Sequence, residues 1–517
     1  ALSACVYAYL IGFVFCDSFE NLFIINSVRF LLIFIFYRAQ SRKRAGFSAL
    51  AFFCLCVILS VSASRINAFL HAQSFQPFEI TETEESKYGS IVITKQARGS
   101  LTLFENGIHL FTTDDTLSNE NMTQFSLLAH PQPRDILLLG GGITGSLSCI
   151  FAHPSVEKVT YVELDPEIVE TARPYLTQQE QSLLQGPDVT INYSDARRYV
   201  MRTARSFDVI ISGLPQPNTI QLNRFYTKEF FQHSKDILSE NGIFSFTLPS
   251  SESFINTEQA LLMKSLYETL HSVFPHVTII PGNTAVYLAS KKDLSFLSSS
   301  LLLERIRERD LSLDYVNSFY LPTRLMAEKR KYLADRLTAV EQYRLNTDKK
   351  PIVNFYHLSI WSHISYKGLT RLITGLLRLR PQHLYILLGI LFVILWICSG
   401  KKPHTPLLTT VASIGLTEIS LEIIVLLFVQ IYLGNVYSFI AVIIGSYMAG
   451  LSGGAFVSSR IIERSQKSDH DLYKKLIFFE GLIVIIPLLI IFLPDLLHGL
   501  FFPPLFQKTG YVAGICI

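Results

Sequence analysis

Gly140, Gly142 and Gly145 form a G-x-G-x-x-G pattern directly after the apolar run Asp135-Ile-Leu-Leu-Leu139. Glycines at that spacing close a tight turn and let a ligand lie against main-chain N–H groups instead of side chains. Glu163 follows about 20 residues further on, at the end of the next β-type run, where a carboxylate accepts hydrogen bonds from ribose hydroxyls. Asp195 follows a third such run, in Tyr193-Ser-Asp-Ala-Arg197. A carboxylate there accepts an adenine amino group, or the first N–H groups of a helix, and the two roles are compatible. The chemistry these types and spacings suit is nucleoside binding. They leave open whether the nucleoside is a nicotinamide dinucleotide or an S-adenosyl compound.

Such residues need strands that end beside one another. Periodicity predicts strands at 135–139, 159–163, 189–193, 209–212 and 242–248, with helices near 145–153, 166–176, 196–204 and 226–239. This alternation reads as an α/β, Rossmann-like domain with a parallel sheet and helices on both faces. Ahead of it, 90–94 and 101–104 alternate like strands, and Glu105-Asn106-Gly107 is a hairpin turn into a third strand. The reading therefore places a linker and small β-domain at 65–118, the Rossmann-like domain at 119–297, and a charged helical connector at 298–380.

The rest of the chain is apolar. Of 517 residues, 49% are hydrophobic and only 17% charged, with a mean hydropathy of +0.32, against about 25% charged residues in soluble domains. That balance excludes a disordered chain and points to a multi-pass membrane protein carrying a soluble part. Uncharged or nearly uncharged runs at 1–15, 21–37 and 45–63 predict three spanning helices in 1–64. Runs within 383–399, 405–459 and 476–494 predict four or more in 381–517. Arg42, Lys43, Lys401, Lys402, Arg460 and Arg464 mark one side as cytoplasmic, which places the soluble domain outside the cell membrane. The cluster Lys367, Arg371, Arg378 and Arg380 opposes that orientation. Glu418 and Glu422, at i,i+4 in an apolar run, read as a cation or proton path or as a structural pair. Gly445, Ala449 and Gly453 give small-xxx-small spacing for helix packing. The seven cysteines and thirteen histidines show no metal-ligand spacing, so no metal is expected. A net charge of +3 without a basic-aromatic patch predicts no nucleic-acid partner.

Several motifs occur in a fixed order: Leu103-Phe-Glu-Asn-Gly107, Leu139-Gly-Gly-Gly142, Val162-Glu-Leu-Asp-Pro166, Ser194-Asp-Ala-Arg197, Phe207-Asp-Val-Ile-Ile211 and Leu222-Asn-Arg-Phe-Tyr226. Over about Tyr88 to Leu288 this set resembles the polyamine aminopropyltransferases, the spermidine synthase family. The flanks, with Gln430-x-x-Leu-Gly-Asn-Val-Tyr437 and Met448-Ala-Gly-Leu-Ser-Gly-Gly454, resemble its membrane-fused branch. The resemblance implies a pocket for decarboxylated S-adenosylmethionine or S-adenosylmethionine, lined by Gly140, Gly142 and Gly145, with Glu163 on the ribose and Asp195 on the adenine.

The same resemblance exposes losses. Where the family carries Asp-x-x-Asp-Pro, this chain has Gly213-Leu-Pro-Gln216-Pro217, and the acid of Gly-Gly-Gly-Asp-Gly is replaced in Gly140-Gly-Gly-Ile-Thr-Gly145. The family's Tyr-His-Glu has no counterpart, with Gln124 nearest to its His position, and Tyr226 is the remaining catalytic candidate. An ammonium has no lone pair, so the transfer needs a base to free the attacking amine. Asp114, Asp115 and Glu120 are the nearest acids that stand in for the missing ones. The expectation is an aminopropyltransferase-like protein with its catalytic aspartates replaced, acting on a polyamine or small amine or inactive. The alternative is a non-catalytic binding or scaffold subunit, partnered by the bilayer and by a membrane protein or a second copy. A methyltransferase ranks third, because the β-domain argues against it.

Overall fold

The computed structural model describes residues 78–95, 100–113, 115–365 and 437–464, with isolated positions elsewhere. The predicted spans at 1–15, 21–37, 45–63 and 476–494 lie outside the described residues, as do Asp114 and the 367–380 cluster. Among the described residues no helix is long and apolar enough to cross a membrane.

The small β-domain is an antiparallel sheet of β1 (Glu79–Glu85), β2 (Ser90–Lys95), β3 (Leu101–Glu105) and β4 (Ile108–Thr112), in that order. Asn106 and Gly107, with φ of +51° and +76°, make the predicted two-residue turn between β3 and β4. β1 was not predicted, because Glu79-Ile-Thr-Glu-Thr-Glu-Glu85 lacks an apolar alternation.

The chain then alternates. α1 (Thr116–Ala129), β5 (Asp135–Leu139), α2 (Leu147–Phe151) and β6 (Lys158–Glu163) lead to α3 (Pro166–Ala172), α4 (Gln178–Gln185), β7 (Val189–Tyr193) and α5 (Ala196–Arg202). β8 (Phe207–Ser212), α6 (Ile220–Asn223), α7 (Lys228–Asp236), β9 (Leu238–Pro249) and α8 (Thr257–His271) follow, and β10 (His276–Ile280) with β11 (Thr284–Ser290) closes the sheet. The sheet order is β10-β11-β9-β8-β5-β6-β7. It is parallel from β9 to β7, but β11 runs antiparallel to β9 and β10 antiparallel to β11. The expected all-parallel sheet is thus a mixed one. Its last hairpin needs no crossover helix, so strand–helix alternation does not reveal it.

β5 is the centre. Ile136, Leu137, Leu138 and Leu139 are wholly buried. Alternate residues feed opposite faces: Leu137 and Leu139 join one apolar cluster with Phe230, Phe244 and Leu266, while Ile136 and Leu138 join another with Ile91, Leu103 and Tyr161. The second cluster fuses the small β-domain to the sheet. A hydrogen bond of 2.6 Å from the Tyr175 hydroxyl to Glu82 adds a polar tie.

The segment expected as a connector is part of this core. α9 (Ser299–Glu308), α10 (Tyr320–Arg324), α11 (Ala327–Thr338) and α12 (Ile352–Ser365) follow the sheet. They bury Leu302 and Leu321 in one cluster and Leu333, Leu337, Val353 and Tyr356 in another. Charged residues on their outer faces made the segment read as a linker. α13 (Tyr437–Arg464), beyond Phe439, belongs with the described positions between 415 and 426 to a second compact unit. There the Tyr447 hydroxyl donates to Glu418 at 3.2 Å. Among the described residues, a Cβ on Gly450, Gly453 or Gly454 meets nothing within 4 Å, so the predicted close packing is not seen there.

Asp348 locks the post-sheet segment down. Arg197 grips it with both guanidinium nitrogens, and the Thr227 hydroxyl donates to it at 2.8 Å. The pair is nearly buried, with side-chain exposures of 11% and 12%. Removing one partner leaves an uncompensated charge inside the protein. Asp348→Ala should therefore cost about 3–5 kcal/mol of stability in urea unfolding. Replacing both partners, as in Arg197→Met with Asp348→Leu, should recover much of it. An effect below about 1 kcal/mol for the single variant would show that the pair does not hold the segment.

Candidate functional site

The strand order reverses between β5 and β8: β6 and β7 lie on one side of β5, and β8 returns on the other. Loops leaving such a switch point at the carboxyl ends form the ligand crevice of open α/β sheets. The glycine turn follows β5, Glu163 ends β6, Asp195 follows β7, and Gly213 follows β8. All the predicted nucleoside-site residues thus stand along one edge. The main chain pins them there: Gly140 N–H donates to Val162 O, Gly213 N–H to Leu139 O and Ser194 N–H to Glu163 O, each at 2.9 Å.

The turn requires glycine for two reasons. Gly140, Gly141 and Gly145 have φ of +69°, +72° and +95°, where a side chain is strained. Gly142 has an ordinary φ, but a Cβ there would meet the Tyr161 ring at 2.5 Å. The left-handed Gly145 also explains why the expected helix from 145 begins only at Leu147, after one wide turn over Gly142–Ser146. Thr144 and Ser146 hydroxyls both donate to Gly141 O, at 2.8 and 2.6 Å, and the Asn119 amide donates to Thr144 O. Ile143, in place of the expected acid, is a buried core residue.

Glu163 is half-buried, and both of its oxygens are oriented. Oε2 accepts from the Tyr161 hydroxyl at 2.6 Å and Oε1 from Leu164 N–H at 2.8 Å. Burial raises its carboxyl above the usual range, while the Tyr161 bond pulls it down. Asp195 caps α5 through Arg198 N–H at 3.0 Å. Its other oxygen receives the guanidinium of buried Arg224. The geometry thus shows the capping reading of Asp195.

Tyr226 is buried, and burial drives its hydroxyl well above the usual range. That hydroxyl donates to Leu214 O at 3.2 Å and Pro215 O at 2.9 Å, so the tyrosine anchors the loop after β8 and is not placed as a base. The same loop is held from α12: Gln216 meets the His357 ring at 3.1 Å, and Asn354 donates to Pro217 O at 3.3 Å. Gly213 has little room for a side chain, since a Cβ would lie 2.9 Å from Met122 Sδ and 3.0 Å from Gly140 O.

The candidate substitute acids are engaged elsewhere. Glu120 accepts from the N–H groups of Asp314, Tyr315 and Val316 at 2.7–2.9 Å. Asp115 caps α1 through Ser118 N–H. Gln124 is fully buried between His153, at 2.8 Å, and Cys149 O, at 3.0 Å. Among the described residues no group of three or more His, Cys, Asp or Glu side chains is arranged to hold a metal.

Three residues escaped the sequence reading. Tyr161 sits two before Glu163 on one strand face, so the period of β6 carried that signal. Arg224 lay inside a quoted motif with nothing to name its partner. Glu105 ends β3, far from β6 in sequence. Burial, reinforced by the carboxylates of Glu163 and Asp165, pushes its pKa from 4.5 up to about 7.

Comparison with known proteins finds a resemblance over part of this chain. Residues 116–294 match the spermine/spermidine synthase domain. A polyamine aminopropyltransferase of Thermotoga neapolitana is 29% identical over 230 residues, covering 42% of this chain and 76% of that protein. One of Buchnera aphidicola subsp. Schizaphis graminum is 26% identical over 267 residues, covering 48% of this chain and 91% of that protein. The crystal structure of spermidine synthase from Thermotoga maritima aligns at 24% identity with a TM-score of 0.42, over 50% of this chain and 87% of that one. The family match begins with α1 and ends just after β11; the apolar flanks fall outside it.

Glu105 gives the site a pH signature. In the folded protein it keeps its proton to about pH 7, whereas the unfolded chain releases it near 4.5. Between those values the unfolded state binds fewer protons, so this group's contribution lowers stability as pH rises and stays unfavourable above 7. Glu105→Gln should match the parent below pH 4.5 and exceed it at pH 8 by about 1–3 kcal/mol in urea unfolding. Parallel stability curves for the two proteins would refute this assignment.

Proposed function

We propose that this protein is a membrane-anchored, aminopropyltransferase-like protein. Its domain binds a nucleoside of the decarboxylated S-adenosylmethionine class and lacks the carboxylates that would free a polyamine for attack. What supports the nucleoside reading is the glycine turn beside Glu163 and Asp195 at the switch point of the sheet. The residues present fit the group. A side chain at Gly142 would strike Tyr161, leaving a bare main-chain turn, and two carboxylates stand at the ends of adjacent strands as acceptors. Gly140, Gly142 and Gly145 would line the nucleoside, Glu163 would accept from the ribose hydroxyls, and Asp195 from the adenine amino group. When bound, the cofactor supplies an activated propylamine group on a sulfonium centre. Tyr226 shapes the loop after β8 on which an attacking amine would rest.

A second reading, a non-catalytic binding or scaffold module, rests on Gly213 and Gln216. A di- or triamine carries two or three positive charges and wants carboxylates at both ends. Here Gln216 pairs with His357 and the space at Gly213 is taken by Met122. Burial holds the His357 ring toward its neutral form.

Membrane anchoring is proposed from the apolar runs on both sides of the domain and from helical positions that expose large apolar side chains. Ile386, Ile390, Val393 and Ile394 do so in one stretch, Ile419 and Ile423 in a second, and Phe456 and Val457 in a third. Such surfaces suit lipid or a membrane partner rather than water.

Titration calorimetry of the full-length protein with decarboxylated S-adenosylmethionine, S-adenosylmethionine and several amines tests the reading. Nucleoside binding with turnover at least about 1000-fold below a polyamine aminopropyltransferase is expected, on the scale of losing a positioned base. No nucleoside binding would defeat the proposal, and rapid transfer to putrescine would defeat the loss of chemistry. Gly213→Asp with Gln216→Asp should gain activity only when Met122→Ala opens the space. For orientation, Ser90→Cys and Ser468→Cys in a cysteine-free background should label from opposite sides, Ser90→Cys from outside. Labelling of Ser90→Cys only from the cytoplasm would reverse the topology.

A further inference from the structure

Tyr161 is a fully buried tyrosine in the middle of the central sheet, and its hydroxyl is not in the apolar core. It reaches the carboxyl edge of β6, where it donates to Glu163 Oε2 at 2.6 Å. Three atoms of the ring lie within 2.6 Å of where a Cβ on Gly142 would stand, so the glycine turn rests directly on the ring. One side chain thus touches both halves of the crevice: its ring packs against the turn after β5, and its hydroxyl bonds to the carboxylate after β6.

A short hydrogen bond to a carboxylate is directional and strong. With Oε2 held by Tyr161 and Oε1 by Leu164 N–H, the carboxylate of Glu163 has one plane and its remaining lone pairs one direction. Reading two vicinal hydroxyls needs that fixed plane, because a rotating carboxylate pays the ordering entropy on binding.

We propose that Tyr161 is the positioning residue for ribose recognition: packed against Gly142, it holds Glu163 so that the carboxylate reads both hydroxyls of a ribonucleoside. This rests on the nucleoside reading above and names the residue that gives the site its sugar specificity. Tyr161→Phe keeps the ring under Gly142 and removes only the hydroxyl. Glu163 is then held on one side alone and turns between orientations.

The test is calorimetry of the full-length protein with 5′-methylthioadenosine and its 2′-deoxy counterpart. The parent should favour the ribonucleoside by about tenfold or more, the scale of a hydrogen bond to a charged group. Tyr161→Phe should bring the ratio close to one by weakening the ribonucleoside alone. In a Glu163→Gln background, Tyr161→Phe should change neither affinity further. A preserved ratio, or an equal loss for both nucleosides, would overturn the role of Tyr161 while leaving the nucleoside site standing. A parent protein that binds neither compound would overturn the site and this role together. Because Tyr161→Phe is a core substitution, 3-fluorotyrosine at position 161 gives a second readout. Its fluorine resonance should shift with the ribonucleoside and not with the deoxy compound, and a silent resonance in the presence of bound ribonucleoside would overturn the proposal.

Discussion

β5 pairs in parallel with β6 on one side and β8 on the other, and its residues Ile136 to Leu139 have no exposed surface. A strand held on both edges and both faces cannot shift register without turning an apolar side chain into the opposite cluster. The three loops that leave this seam therefore start from fixed points, joined by main-chain hydrogen bonds at Gly140 and Gly213. At that separation the backbones after β5 and β8 approach within ordinary van der Waals contact, since the Cβ position of Gly141 is 3.6 Å from Gly213 Cα. Glycine at these positions follows from the seam as much as from any ligand.

The same constraint divides the crevice into two unlike halves. Toward β6 and β7, carboxylates accumulate: Glu163, Asp165 and Asp195, joined by Glu105 from the small β-domain. Toward β8, the loop is neutral and filled, with Met122 against Gly213 and Tyr226 beneath Leu214 and Pro215. Negative charge is therefore concentrated where a neutral ribose would lie and is absent where a cationic amine would need it. Arg224 offsets part of that charge by pairing with Asp195, and the raised pKa of Glu105 offsets another part by keeping a proton. The crevice is thus acidic toward β6 and β7 and neutral toward β8.

The segment after the sheet completes the domain. Asn346 is fully buried and donates to Asn223 Oδ1 and Tyr226 O, while Asp348 takes Arg197 and Thr227. α12 then supports the loop after β8 through Asn354 and His357. The floor of the crevice thus depends on residues beyond 294, the end of the family match. Anything that displaced α12 would also release Gln216.

Much of the fold was legible because its signals are local. The strand runs from β5 to β8, the Asn106-Gly107 turn and the glycine pattern depend on periodicity and on φ, which neighbouring residues decide. The ordered motifs even pointed to the family model that residues 116–294 match. Three things were not legible. The antiparallel β10–β11 edge, the packing of 298–357 into the core and the partners of Asp195, Glu120 and Gln216 all join residues far apart in the chain. That positions 213 and 216 carry glycine and glutamine, not acids, could be read from the sequence by itself. Only the tertiary structure decided that Met122 fills the space, that Tyr226 points into the loop, and that Tyr161 joins Gly142 to Glu163. Residue types set which groups are available, whereas the distance between two groups on different strands is set by how the sheet and its helices pack.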